Sequence, residues 1–203
     1  MGMPTRAESA AQTRRALLDA AAALLDTGGP EAVTLREVGN GAGVSRSAPY
    51  RHFADKDALL AALASQAWEV VAGGLDAIVA DAGLHPEDAL RTALRALSDL
   101  GVGRPHLYRL MFATPAGAPA IPATARAQDG LMNLVGRVIG PDAERDAARH
   151  HAALLLATAH GVTELDIHGH LPPEKWHADR YRLIDLAVST TAASRGTATG
   201  IRS

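Results

Sequence analysis

The chain has 203 residues, 47% of them apolar but only 3% aromatic, and no cysteine. Lys plus Arg number 20 and Asp plus Glu 22, a formal charge of −2. These numbers exclude a disulfide scaffold, a thiolate metal site and a Cys nucleophile, and they leave any nucleic-acid contact to a local patch. A core built largely from Ala, Leu and Val favours close-packed helices over a sheet. No apolar run approaches the roughly 20 residues of a membrane span. The polar start lacks the apolar stretch of a signal peptide, so a soluble cytoplasmic protein without a membrane partner is expected.

In chain order, residues 1–8 read as a frayed arm. From Ser9 to Thr27 the apolar positions Ala16, Leu17, Ala20, Leu24 and Leu25 recur at helical spacing. Gly28-Gly29-Pro30 ends that helix and starts a loop. Thr34-Leu35-Arg36-Glu37 reads as a reciprocal capping box opening a helix of about two turns that stops near Gly41 or Gly43. Gly43 suits a tight turn needing positive φ. Ser45 then reads as the N-cap of a short helix to Phe53, with Asp55 as a second cap. Between those caps Arg46, Ser47, Tyr50, Arg51 and His52 are all donors, while Val44, Ala48 and Phe53 read as buried.

A long helix is expected from Lys56 to Ala80, with Leu59, Leu60, Leu63, Ala67, Val71, Leu75 and Ile78 as its apolar stripe. Gly73-Gly74 within it reads as a close helix crossing in preference to a hinge. Further helices are expected from Pro86 to Gly101 or Gly103 and from Arg104 to Phe112. The Pro-rich stretch 113–122 reads as a loop, followed by helices at Ala123–Ile139 and Ala143–His168 and a single final helix at Glu174–Ala193. Gly140-Pro141-Asp142 serves as breaker and cap, and the tail 194–203 reads as disordered. No strand pattern and no internal repeat is present.

Helix, glycine turn and donor-studded second helix make the helix-turn-helix pattern, whose second helix enters the DNA major groove. Residues 13–60 resemble the N-terminal domain of the TetR family of transcriptional regulators. The resemblance rests on the run 21–29, on Val33-Thr34-Leu35-Arg36-Glu37-Val38, Ala42-Gly43-Val44-Ser45 and Tyr50-Arg51-His52-Phe53, and on Lys56-Asp57-Ala58-Leu59-Leu60. Two positions depart from the family: Gly39 stands where Ala is usual, and Pro49 lies early in the second helix. Residues 104–112 and His160-Gly161 also look like a TetR-type C-terminal domain named for a Trp-His-Gly motif, although no Trp precedes His160.

The resemblance implies an all-α chain with two domains. Residues 1–55 form a three-helix helix-turn-helix DNA-binding domain, and residues 56–203 form a helical ligand-binding and dimerisation domain. It implies a DNA-binding site made by Thr34, Arg36, Ser45, Arg46, Ser47, Tyr50, Arg51, His52 and Lys56. Arg46 and Ser47 are expected near base edges, where Arg pairs bidentately with guanine. Tyr50, His52, Lys56 and Thr34 are expected on phosphates. It also implies an apolar effector pocket, for which Trp68, Leu107, Met111, Phe112, Met132 and Val135 offer lining and His106, Tyr108 and His160 polar anchors. The last two long helices are expected to pair with those of a second subunit through Ala147, Leu154, Leu155 and Val162 with Leu183, Leu186 and Ala187.

The implied partners are a DNA operator, a small-molecule effector and a second copy, with no cofactor; the implied activity is that of a repressor. Within residues 1–60 the charges balance: Arg6, Arg14, Arg15, Arg36, Arg46, Arg51 and Lys56 face Glu8, Asp19, Asp26, Glu31, Glu37, Asp55 and Asp57. That neutrality motivates an alternative, a helical interaction or receptor module that has lost specific DNA binding. Asp166, His168, His170 and His177 are the best metal candidates, but they lack the paired His and general-base Glu of a hydrolytic zinc helix. His150 and His151 are adjacent and face different directions. With no Ser-His-Asp arrangement, phosphate loop or carboxylate pair, an enzyme is not expected.

Overall fold

The structure, a computed structural model, describes residues 5–113, 121–141 and 145–194, with the side chain of Arg145 excluded. The expected arm at 1–4, most of the 113–122 loop, the cap at Asp142 and the tail from 195 on lie outside the described residues. Ten helices are described: α1 Arg6–Ala32, α2 Leu35–Gly41, α3 Ala48–His52, α4 Lys56–Ala80, α5 Pro86–Gly103, α6 Pro105–Phe112, α7 Pro122–Ile139, α8 Arg145–Ile167, α9 Pro173–Trp176 and α10 Arg180–Ala193. Among the described residues there is no strand, and the fold is all-α.

Two compact units divide the chain. The first holds residues 1–67 and 104–118, the second residues 68–103 and 119–203. This differs from a simple cut at 55/56. The first half of α4 and all of α6 belong to the helix-turn-helix unit because Leu59, Leu60, Leu63 and Leu107 fill the same core as Leu17, Leu25, Val38 and Phe53. The second unit packs α5, α7, α8 and α10 against one another. Its core includes Leu90, Leu94, Leu134, Val138, Leu155 and Ile184. Within it the Ser98 hydroxyl meets that of Thr163, which donates to the carbonyl of Ala159 at 2.7 Å, so two buried hydroxyls are satisfied.

Several expected boundaries move, each for a local reason. Helix α1 starts earlier because Thr5 and Glu8 form a capping box: the Thr5 amide donates to Glu8 at 2.7 Å and the Glu8 amide to Thr5 Oγ1 at 3.2 Å. The Thr5 amide and, at 2.9 Å, the Thr5 hydroxyl both donate to the Glu8 carboxylate and hold it below its ordinary value. At the other end Gly28-Gly29-Pro30 does not open a loop. Gly29 takes φ +67, kinks the helix and lets a further turn run to Ala32. The Thr34 box is half-formed: Thr34 Oγ1 accepts from the Glu37 amide at 3.2 Å, but the Glu37 carboxylate turns to Asn40 (3.5 Å) and Arg36 (3.8 Å).

The single final helix expected from Glu174 is two helices. The α9 turn ends at His177, in left-handed conformation at φ 49, and Asp179 caps α10 by accepting from the Arg182 amide at 2.8 Å. The close crossing expected at Gly73-Gly74 is absent, since a Cβ added at either meets nothing within 4 Å. The close approach lies instead at Gly130 of α7, where an added Cβ sits 3.2 Å from Leu75 Cβ. Finally, α4 is by length and composition apolar enough to cross a membrane, contrary to expectation. It reads as a core helix: Leu59, Leu63, Trp68, Ala72 and Leu75 are buried, and its exposed Glu69 and Asp76 pair with Arg126 at 2.7 and 2.8 Å.

Candidate nucleic-acid interface

The candidate interface lies on the outer side of α2, the turn after it and α3. Gly43 takes φ +65 to reverse the chain, and the Val44 amide donates to the Gly39 carbonyl at 3.2 Å. Ser45 is not a side-chain cap as expected. Its carbonyl accepts from the Ala48 amide at 2.9 Å, so residues 45–48 form a turn, and α3 proper starts at Ala48 after Ser47 in the cap position. Proline at the second helical position removes an amide that has no helical partner there. Ala48, Pro49 and Phe53 are buried, anchoring the inner face.

That leaves Ser45, Arg46, Ser47, Tyr50 and Arg51 exposed on one short segment, Tyr50 at 58%. Thr34 and Arg36 are exposed at the start of α2, while His52 and Lys56 are half-buried. The cations differ in availability. Arg36 lies 3.8 Å from Glu37, both exposed, and the half-buried Lys56 lies 4.0 Å from the exposed Glu31, so both pairs are weak. Among the described residues Arg46 and Arg51 have no carboxylate within ion-pair distance. They are therefore ready for an anion without first breaking a pair. Arg14 of α1 adds an unexpected cation, its guanidinium 5.2 Å from the centre of the Phe53 ring. The Arg14-Arg15 pair just before Leu17-Leu18 was the only sequence signal for it.

The expected effector residues fall in both units. His106, Leu107, Met111 and Phe112 belong to the first, Trp68, Met132 and His160 to the second. Leu107 is part of the first unit's core, and the His106 ring packs on the α1 kink, where a Cβ on Gly29 would come within 3.0 Å of it. Tyr108 is fully buried against Phe112, with ring centres 5.0 Å apart. Trp68 and Met111 are buried, and Met132, His160 and Phe112 are half-buried.

An open groove of about 350 Å³ runs between α8 and α10. Leu154, Leu155, Val162, Leu183, Leu186 and Ala187 line it, six of the seven residues expected at a subunit contact. Leu154 and Leu186 stand 61% and 57% exposed on its rim. At the end of this helix pair, Arg180 donates to Asp166 at 2.9 Å and Asp99 at 2.8 Å, and the Tyr181 hydroxyl donates to Asp99 at 2.6 Å. Burial alone would raise the Asp99 carboxyl, but the Tyr181 and Arg180 hydrogen bonds and the Arg180 and Arg95 charges bring it below its usual value. The same bond, then burial, raises the Tyr181 phenol. Asp166 is thus held by Arg180, and His168 Nδ1 faces the Glu164 carbonyl at 2.7 Å. Among the described residues no three of His, Asp and Glu converge on a metal position.

With this geometry in view, the comparisons are specific. A family model of bacterial regulatory proteins of the tetR family matches residues 17–63, and one for the tetracyclin repressor-like C-terminal domain matches residues 90–191. Nothing among the curated proteins matches the chain. Solved structures with similar folds include a protein with unknown function from Rhodococcus sp. RHA1. It is 28% identical with a TM-score of 0.74, over 90% of this chain and 94% of that one. The transcriptional regulator SCO7222, a TetR from Streptomyces coelicolor, is 19% identical with a TM-score of 0.67, over 90% and 96%. The triclosan complex of SmeT, the repressor of the Stenotrophomonas maltophilia multidrug efflux pump SmeDEF, is 25% identical with a TM-score of 0.55, over 90% of each chain.

Proposed function

The chain belongs to the TetR family of transcriptional regulators, with a helix-turn-helix DNA-binding module and a helical C-terminal domain, and we propose that it is a homodimeric repressor released from its operator by a small apolar effector. The observation that carries the DNA-binding half is the segment 45–51, which exposes two unpaired arginines, two serines and a tyrosine on a buried Ala48-Pro49-Phe53 anchor. Two such segments about one helical turn of DNA apart, roughly 34–36 Å, or at a wider family spacing, read a near-palindromic site. Arg46 and Ser47 reach base edges. Thr34, Tyr50, His52 and Lys56 hold phosphates, with Arg36, Ser45 and Arg51 at the same surface.

The second copy docks on the α8–α10 groove, whose exposed Leu154 and Leu186 are apolar surface that a second identical groove covers. Within the second unit the effector site draws on Trp68, Met132 and His160. Support for an apolar effector comes from the apolar Trp68 and Met132 side chains and from SmeT, a repressor seen with triclosan. An effector that binds only the DNA-incompetent arrangement shifts the population by no more than its differential affinity for the two states. Selection from a random duplex pool tests this reading: an enriched inverted repeat supports it, and a pool without enrichment at low salt refutes it.

The neutral charge balance of residues 1–60 favours one other reading, a helical interaction module without specific DNA binding. The two part on salt, since an operator complex weakens steeply as counterions compete for phosphate and a neutral interaction surface does not.

A further inference from the structure

We propose that Gly39 and Pro49 act as a matched pair that sets how closely α3 seats on α2, and so position Arg46, Ser47 and Tyr50 for sequence reading. Taken singly, the two residues look like unrelated blemishes. Gly39 is a poor helix former within α2, and Pro49 is a helix breaker within α3. The structure joins them: both are buried, and a Cβ built on Gly39 would lie 2.9 Å from Pro49 Cγ and 3.5 Å from Cδ. Real Cβ contacts essentially never fall below 3.0 Å, and ordinary contact begins at 3.4 Å. The atom met is part of a closed pyrrolidine ring, which has no free side-chain rotation and yields only by ring pucker or by a backbone shift.

Gly39 also holds the turn itself, because its carbonyl accepts from the Val44 amide at 3.2 Å. The Ser45 carbonyl, the next anchor, accepts from Ala48 at 2.9 Å, and the Pro49 carbonyl accepts from Phe53 at 2.9 Å. Backbone displacement at position 39 or 49 therefore passes directly into 45–48, where Arg46 and Ser47 sit. The core beneath, with Val38 fully buried and Phe53 at 4% exposure, keeps the module folded while the outer segment shifts. A readout of base selectivity is thus more sensitive to the pair than a readout of folding. Reaching a base edge bidentately tolerates little displacement, whereas a phosphate contact through a long side chain tolerates more.

The proposal rests on the DNA-binding reading, so its test begins with the wild-type protein selecting a duplex from a random pool. Binding to that duplex and to a scrambled one of equal length is then measured for wild type, Gly39→Ala, Pro49→Ala and the double variant, with melting temperature recorded in parallel. Gly39→Ala is expected to lower the selected-to-scrambled affinity ratio at least tenfold while scrambled binding changes less than threefold. Removing the ring in Gly39→Ala/Pro49→Ala is expected to recover most of that ratio. If Gly39→Ala proves unfolded, the double variant is expected to regain both the fold and the ratio.

An unchanged ratio in Gly39→Ala overturns the proposal and leaves the DNA-binding reading standing. So does a double variant no better than Gly39→Ala, since the loss would then not arise at the Pro49 ring. A wild-type protein that selects no duplex refutes the DNA-binding reading, and the positioning role falls with it.

Discussion

Leu154→Ala isolates the proposed subunit contact from the fold, because the side chain is 61% exposed in a single protomer while its neighbour Leu155 is 1% exposed. The substitution removes roughly three methylene equivalents, each worth about 0.8 kcal/mol when fully buried. With some three-fifths of that surface still in water before association, the loss is about 1.5 kcal/mol per protomer. A twofold contact counts it twice, so the dimer is weakened by about 3 kcal/mol, on the order of a hundredfold in dissociation constant. Side-chain ordering at the contact offsets part of this gain, so the expected effect is about thirtyfold to a hundredfold. Sedimentation equilibrium over a dilution series gives the constant, and far-ultraviolet circular dichroism shows that the helices persist. Leu155→Ala is the contrast: it opens a cavity within the protomer and lowers folding stability by about 2–5 kcal/mol. The reasoning is refuted if Leu154→Ala and Leu186→Ala both dimerise within threefold of wild type.

Three further predictions follow from particular contacts. Arg46→Ala is expected to flatten base preference at one position of each half-site, costing about 1–3 kcal/mol there, whereas Lys56→Ala weakens every sequence alike; equal losses across all sequences for both variants would sink that division. Gly73→Ala and Gly74→Ala meet open space in α4 and are expected to stabilise the protein by up to about 1 kcal/mol each, read as a higher melting temperature. A lower melting temperature in either would mean that the helix face is occupied in the assembly. Asp99 has a folded-state carboxyl below its usual value, so its contribution is present above the unfolded value near 3.9 and fades as pH falls through the folded one. Asp99→Asn should accordingly lower stability at pH 7 and narrow its gap to wild type below about pH 4; a gap independent of pH removes the carboxylate from the account.

The parts legible from the residues were those with local signals. Asp55, the α2 start at Thr34, the proline that opens α5 and the whole length of α4 are fixed by caps, breakers and apolar period, and those signals act within a few residues of themselves. Ser45 misled because a good capping side chain also suits the turn before a helix, and the proline four residues on left room for that turn. The split between α9 and α10 depends on Asp179 capping Arg182 and on Trp176 donating to the His170 carbonyl at 3.0 Å, a contact across a loop that periodicity does not register.

The site divides in the same way. Exposure of Ser45, Arg46, Ser47, Tyr50 and Arg51 follows from which side of α3 holds Ala48, Pro49 and Phe53; the sequence marked Ala48 and Phe53 as buried but named Val44, which is half-buried, in place of Pro49. The burial of Leu107 in the helix-turn-helix core and the seating of His106 on Gly29 were not, because α6 lies some 80 residues along the chain from the kink it covers. Gly39 and Pro49 were visible as two departures, but they lie ten residues apart and no local signal brings them together.

The central claim is selective, electrostatically driven operator binding by a pair of subunits, and it is tested most directly by titrating the protein onto its selected duplex across a range of salt concentrations. Arg46, Arg51 and Lys56 from each of two protomers offer six cations to phosphates and bases. With the two Arg46 on base edges, the four Arg51 and Lys56 cations are left for phosphate, so log K should fall against log salt with a slope of about −3 to −4, at two subunits per site. A slope near zero, or equal affinity for the selected and scrambled duplexes, contradicts the account.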